Sequence, residues 1–141
     1  MTRLNALQPL GLLLLRLALG IIFIFHGYPK LAHPGAMHGM FVQHGLPAYF
    51  SEISGTLETF GGALLIIGLF TRIAGLLLAI EMAIAIWKVH SGGGVMAVHI
   101  YEFPLALAVG CFALATVGAG RLSADYGLYE SGAGPRPGKS K

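Results

Sequence analysis

Charge is scarce in this chain: nine basic and six acidic residues in 141, or 11%. A soluble domain usually carries about a quarter charged residues, so a water-exposed globule is excluded first. The net charge of +3 is small and scattered, with only Arg136, Lys139 and Lys141 close together. That leaves no footprint for nucleic acid. A single cysteine, Cys111, rules out a disulfide or a two-cysteine exchange reaction within one chain. The sequence also has no Rossmann glycine motif, P-loop or nucleophile elbow, so a soluble-type active site is not expected. What is abundant is apolar: 55% of residues are hydrophobic and the mean hydropathy is +0.74. Apolar content at that level also excludes disorder, because it offsets the entropy of ordering.

Four apolar stretches are candidates for crossing a bilayer, at about 10–27, 52–70, 72–90 and 99–119. They lack the alternation of a membrane strand, so helices are expected, which satisfy their backbone groups internally. The first run is followed by His26-Gly27-Tyr28-Pro29-Lys30 and no small-residue cleavage site, so it reads as a retained helix. The short Phe70-Thr71-Arg72 connection predicts a tight hairpin of helices two and three. Between the first two runs, Met37, Met40 and Phe41 recur at helical spacing, which predicts a short amphipathic helix at the interface.

The positive-inside rule sets the direction. Arg3, Arg72, Arg121, Arg136, Lys139 and Lys141 fall on the side of the N-terminus, against Lys30 and Lys88 on the other. Both termini are therefore expected in the cytoplasm, and all six histidines on the outer side. The expected architecture is all-α: a polytopic four-helix membrane bundle over residues 1–128, then a polar cytoplasmic tail over 129–141. The expected location is the cell's inner membrane.

Three ionisable residues interrupt the apolar runs: Arg16, Glu58 and Glu81. Counted from the inner ends, they lie about 9–18 Å into the membrane at 1.5 Å per residue. An isolated charge there costs about 2.5–3.5 kcal/mol, so Arg16 is expected to be held by Glu58, Glu81 or both. This network reads either as a structural clamp or as a proton site, the spare acid being open to protonation. At the outer mouth, His26, Lys30, His99 and Glu102 form a candidate cluster for a quinone headgroup, since His with Glu supplies a hydrogen-bond donor and a proton route. His33, His38 and His44 do not have metal-ligand spacing, and no metal is expected. His26 and His99, both at helix ends, are poor haem ligands, and no tightly bound cofactor is expected.

Arg16, then Phe23-Ile24-Phe25-His26-Gly27-Tyr28-Pro29-Lys30-Leu31, resembles the first signature of the DoxX family. Gly45-Leu46-Pro47, Glu58 with Gly61-Gly62, and Gly68-Leu69-Phe70-Thr71-Arg72 resemble its second. Gly118-Ala119-Gly120-Arg121-Leu122-Ser123-Ala124-Asp125 resembles its closing segment. The likeness runs over about residues 10 to 128, with Arg16, Glu58 and Arg72 as the matching polar positions. It implies a four-helix inner-membrane protein, similar to the small membrane subunit of thiosulfate:quinone oxidoreductase. The related fold of thiol-active membrane proteins such as the vitamin K epoxide reductases needs a Cys-x-x-Cys pair, which this chain lacks. The expected function is a membrane subunit of a quinone-linked oxidoreductase, an anchor with a part in a quinone and proton site. Its partners would be other membrane or peripheral redox subunits, the bilayer, or further copies of itself. The alternatives are a non-catalytic structural or assembly subunit and a small proton-coupled transporter using Glu58 and Glu81.

Overall fold

The computed structural model describes residues 5–89 and 98–130. Of the expected tail at 129–141, residues 131–141, with Arg136, Lys139 and Lys141, lie outside the described residues, as do Arg3 and His90. The described chain is helical, in the order α1 (Gln8–Ala32), α2 (Pro34–Gln43), α3 (Phe50–Ile67), α4 (Thr71–Val89) and α5 (Val98–Val117), with a wide π-type turn at Tyr126–Glu130. Two of these, α1 and α5, are long and apolar enough to cross a membrane. Helix α1 runs through Pro29 to Ala32, five residues past the expected end of the first span. Proline removes one N–H, but the turn closes again where His33 N–H donates to the Pro29 carbonyl.

Glycine spacing fixes how the helices meet. Gly20 and Gly27 lie seven residues apart on α1, and Gly55 and Gly62 lie seven apart on α3. The two pairs face each other antiparallel. A Cβ on Gly20 would come within 2.6 Å of the Gly62 carbonyl oxygen, and one on Gly55 within 3.0 Å of the Gly27 carbonyl oxygen. The bare backbones therefore touch at two successive points, as small residues allow in membrane helices. Gly75 plays the same part between α4 and α5, where a Cβ would stand 2.7 Å from the Cys111 carbonyl oxygen. Between α3 and α4 the approach is looser, with Gly61 receiving the Leu78 side chain. Phe23, Leu65, Leu78, Cys111 and Leu114 fill the space enclosed by the helices. Large apolar side chains such as Phe25, Phe60, Ile73 and Phe112 point outward, as they do on a surface solvated by lipid.

Helix α3 ends at Gly68, whose φ of 75° is left-handed, and the N–H groups of Gly68 and Leu69 both donate to the Leu64 carbonyl. Helix α4 is capped from far along the chain. The Asp125 carboxylate accepts from the N–H groups of Phe70 and Thr71 at 2.7 and 2.9 Å. Arg72, on the same turn, ties α4 to α5 by donating to the Ala115, Thr116 and Val117 carbonyls that end α5. The segment after α5 is thus tied back onto the α3–α4 turn.

Candidate functional site

In an α-helix each Cα–Cβ bond tilts toward the N-terminus. Lys30, near the C-terminal end of α1, therefore reaches back toward the middle of its helix. Glu58 on antiparallel α3 reaches the opposite way, toward the Lys30 end, and the two meet. Lys30 Nζ donates to Glu58 Oε2 at 2.6 Å and to Ser54 Oγ at 2.8 Å, with the Glu58 side chain only 4% exposed. The packing of Gly27 against Glu58 and Thr59 opens the room for this pair. The same ammonium lies 6.0 Å from the Phe41 ring centroid, which brings α2 over the pair.

Glu81 stands opposite Glu58 in the α3–α4 register set by Gly61 and Leu78. Both of its carboxylate oxygens are buried, and neither has a hydrogen-bond partner among the described residues. An ionised carboxylate in such a place is costly, whereas the neutral acid is held far more cheaply. The site thus has one lysine for two buried carboxyl groups, the Lys30–Glu58 pair being satisfied and Glu81 left without a counter-ion bond.

The expected neutralisation of Arg16 by Glu58 or Glu81 is corrected by the structure. Arg16 is buried, but its Nη2 donates to the Leu122 carbonyl at 2.5 Å, and its guanidinium lies against Gly68. The physical reason is the direction of the side chain. In the glycine register Glu58 lies opposite Ile24, about 12 Å along α1 from Arg16 at 1.5 Å per residue. The Arg16 side chain tilts away from it, toward its own N-terminus. Arg16 Nε and Nη1 have no hydrogen-bond partner among the described residues. The role the geometry gives Arg16 is to hold the segment after α5 against the α3–α4 turn. A Cβ on Gly68 would collide with this guanidinium.

The cluster expected at the outer mouth is only partly assembled. Lys30 turns inward to Glu58 and Ser54 and leaves the group. His26 lies against α5 through Phe103, with ring centroids 5.5 Å apart, and its Nδ1 is bonded to the Ile22 carbonyl at 2.8 Å. His99 and Glu102 are exposed near the start of α5. No hydrogen bond or ion pair joins His26, His99 and Glu102 among the described residues. Among the described residues no three His, Cys, Asp or Glu side chains converge on a metal-sized site.

Sequence reasoning missed a second polar pair at this end. His38 Nε2 and Glu52 Oε1 are 2.6 Å apart, joining α2 to α3, and Ser51 Oγ donates to Glu52 Oε2 at 2.8 Å. Nothing in the sequence spacing links residues 38 and 52. The available signal was Glu52 in the first turn of α3, where an acid suits the helix N-terminus.

The DoxX family profile matches residues 11–91 of the chain. An uncharacterized membrane protein of Mycobacterium tuberculosis is 32% identical over 139 residues, covering 89% of this chain and 85% of the relative. A Bacillus subtilis protein named "Putative oxidoreductase CatD" is 34% identical over 103 residues, covering 73% of this chain and 77% of the relative. An uncharacterized Haemophilus influenzae protein is 38% identical over 94 residues, covering 66% and 69%. No solved structure matches.

Proposed function

The chain belongs to the DoxX family of membrane proteins, and from that membership we propose that it serves a quinone-linked oxidoreductase as an integral membrane subunit that also holds a proton. The carrying observation is Glu81, a buried carboxyl group without a bonded partner, level with the Lys30–Glu58 pair. In this reading α1, α3, α4 and α5 form a four-helix bundle in the inner membrane. Both termini face the cytoplasm, and the Lys30 end faces out. The name borne by the Bacillus relative supports the oxidoreductase assignment.

The residues divide the work. Lys30 pairs with Glu58 through a direct hydrogen bond, and Ser54 accepts a second bond from the same ammonium. Glu81 then carries the exchangeable proton, because a second ionised carboxylate beside Glu58 has no cation left to offset it. Reduction of a quinone to a quinol consumes protons together with electrons. A group that keeps one proton within the bundle is what such a partner needs. Electrons would come from a redox partner, for which this chain supplies the anchor.

The test is gentle extraction with identification of co-purifying redox subunits, followed by quinone reduction by the intact complex carrying Glu81→Gln. The expected result is full assembly with turnover lowered tenfold or more. Full turnover with Glu81→Gln contradicts the proton role. Loss of assembly with Arg16→Ala, without any redox partner in the wild-type preparation, favours the structural alternative, consistent with Arg16 acting only as a latch.

A further inference from the structure

Helix α2 is held far more loosely than the helices it lies on. None of its ten residues is buried, and a Cβ added at Gly35 or Gly39 would meet nothing within 4 Å. Its inward stripe is Pro34, Met37, His38 and Phe41, at i, i+3, i+4 and i+7, all half-buried. Two contacts fasten that stripe to charged groups of the bundle. The Phe41 ring lies 6.0 Å from Lys30 Nζ, and His38 Nε2 lies 2.6 Å from Glu52 Oε1. At the start of α2 the helical path breaks at a single residue, His33, with φ −134° and ψ 63°. Just past its end Gly45 takes a left-handed φ of 72°. Short joints of this kind are where lids hinge. Beneath α2 lies the Lys30–Glu58 pair, with side chains 16% and 4% exposed. The open side of the pair is therefore the Lys30 side, under Phe41.

One of the two fastenings can change its charge. Protonated, the His38 imidazole is the cation of an ion pair with the Glu52 carboxylate; neutral, it keeps a hydrogen bond without the charge. Ser51 Oγ donates to the other Glu52 oxygen at 2.8 Å and holds the carboxylate in place. The charged and titratable groups that face α2 from its neighbours are Lys30 on α1, His33 at the joint, and Glu52 and Glu58 on α3. Lys30 is taken by Glu58 and Ser54, and His44, where α2 ends, is bonded to the Met40 carbonyl. Glu52 therefore meets His38 as its partner. An imidazole gains its proton as pH falls through neutrality, so this contact strengthens toward acid and weakens toward alkali.

We propose that α2 is a hinged lid over the Lys30–Glu58 pair, latched to α3 by His38 and Glu52 and closed more firmly at acidic than at alkaline pH. The lid stands apart from the quinone-linked reading, because it concerns the access of water to the pair and not the reaction served. Closed, it keeps Phe41 over the Lys30 ammonium. Open, it exposes Lys30 and Ser54, which line the way to Glu58.

The experiment uses the full chain in phosphatidylcholine nanodiscs, with Cys111→Ala and spin labels at Val42→Cys on α2 and Ile67→Cys at the far end of α3, both exposed positions. Distance measurement between the labels should give one dominant distance at about pH 5.5. At about pH 8 a second, open population should grow about two- to fivefold, the modest range of an exposed ion pair. His38→Gln should abolish this pH dependence, and His33→Gln should retain it. A second measurement reads the cover itself at a single pH. A water-soluble thiosulfonate should label Ser54→Cys about fivefold faster once Glu52→Gln is added, whereas the exposed Tyr49→Cys should change by less than about twofold. Helicity and elution volume verify that each variant folds. Distances that ignore pH in the spin-labelled parent, or a response that survives His38→Gln or is lost in His33→Gln, overturn the latch. Labelling of Ser54→Cys unchanged by Glu52→Gln overturns the lid.

Discussion

Lys30 and Arg16 lie on one helix and meet different fates, because a side chain leaves its helix in a fixed direction. Lys30 points into the molecule and finds Glu58. Arg16, itself buried, points toward the N-terminal end of its helix and finds a backbone carbonyl. The need for compensation was legible in the sequence, since Arg16, Glu58 and Glu81 stand out in apolar runs. The pairing was not, because depth counted from the ends of the runs ignores the tilt of the side chain. Lys30, placed by sequence at the outer mouth, is the cation that Glu58 receives. Removing it should be costly, because an uncompensated buried charge remains. Lys30→Met is expected to lower stability by about 3 kcal/mol, the low end for breaking a buried pair because Lys30 keeps some exposure. Adding Glu58→Gln should recover most of that loss. Thermal unfolding in detergent of the single and double variants measures both, and equal melting of wild type and Lys30→Met would contradict the pairing.

Among the elements, the glycines dictate contact more strictly than hydrophobicity does. Every long helix here is apolar, so apolarity cannot say which faces meet. The seven-residue spacing of Gly20 with Gly27 and of Gly55 with Gly62 can say so, and the structure uses it as an antiparallel zipper. The sequence alone does not show this zipper, because a glycine on α1 finds its partner on α3 only once the register of the two helices is set. Gly62→Val should push α1 and α3 apart, since its Cβ would stand 2.7 Å from the Gly20 carbonyl oxygen. The expected cost is about 1–3 kcal/mol or more. Gly11, where an added Cβ would meet nothing within 4 Å, gives the contrast. Gly11→Ala should be neutral or stabilise by up to about 1 kcal/mol. Folded yield and melting temperature of the two variants check this, and equal effects at both sites would contradict the zipper. The α2 helix was legible from its Met37, Met40 and Phe41 spacing, whereas its bond through His38 to Glu52 joins residues fourteen apart across a turn and left no periodic trace.

At the scale of the whole molecule, the described polar groups gather at two ends. One end holds Lys30, His38, Glu52 and Glu58, and the other Arg16, Arg72 and Asp125. The second end is a clasp, in which Asp125 caps α4, Arg72 caps α5 and Arg16 holds Leu122. The proposed orientation puts this clasp in the cytoplasm. In a Cys111→Ala background, an impermeant thiol reagent applied to intact cells should label Tyr49→Cys, and should label Leu122→Cys only after permeabilisation. The reverse pattern would invert the orientation. Family membership and helical class were legible in the sequence because they rest on motif order and apolar run length. The division between a chemical end and a clasped end was not, because it depends on which way each charged side chain leaves its helix.

The buried acid is the centre of the functional reading, and infrared difference spectroscopy examines it directly. Protein in lipid at neutral pH, compared with Glu81→Gln, should show a protonated carboxyl stretch that the variant lacks. It should shift in heavy water as an exchangeable proton requires. A wild-type spectrum with no protonated carboxyl band at neutral pH, or one unchanged by Glu81→Gln, would contradict the assignment of the proton to Glu81.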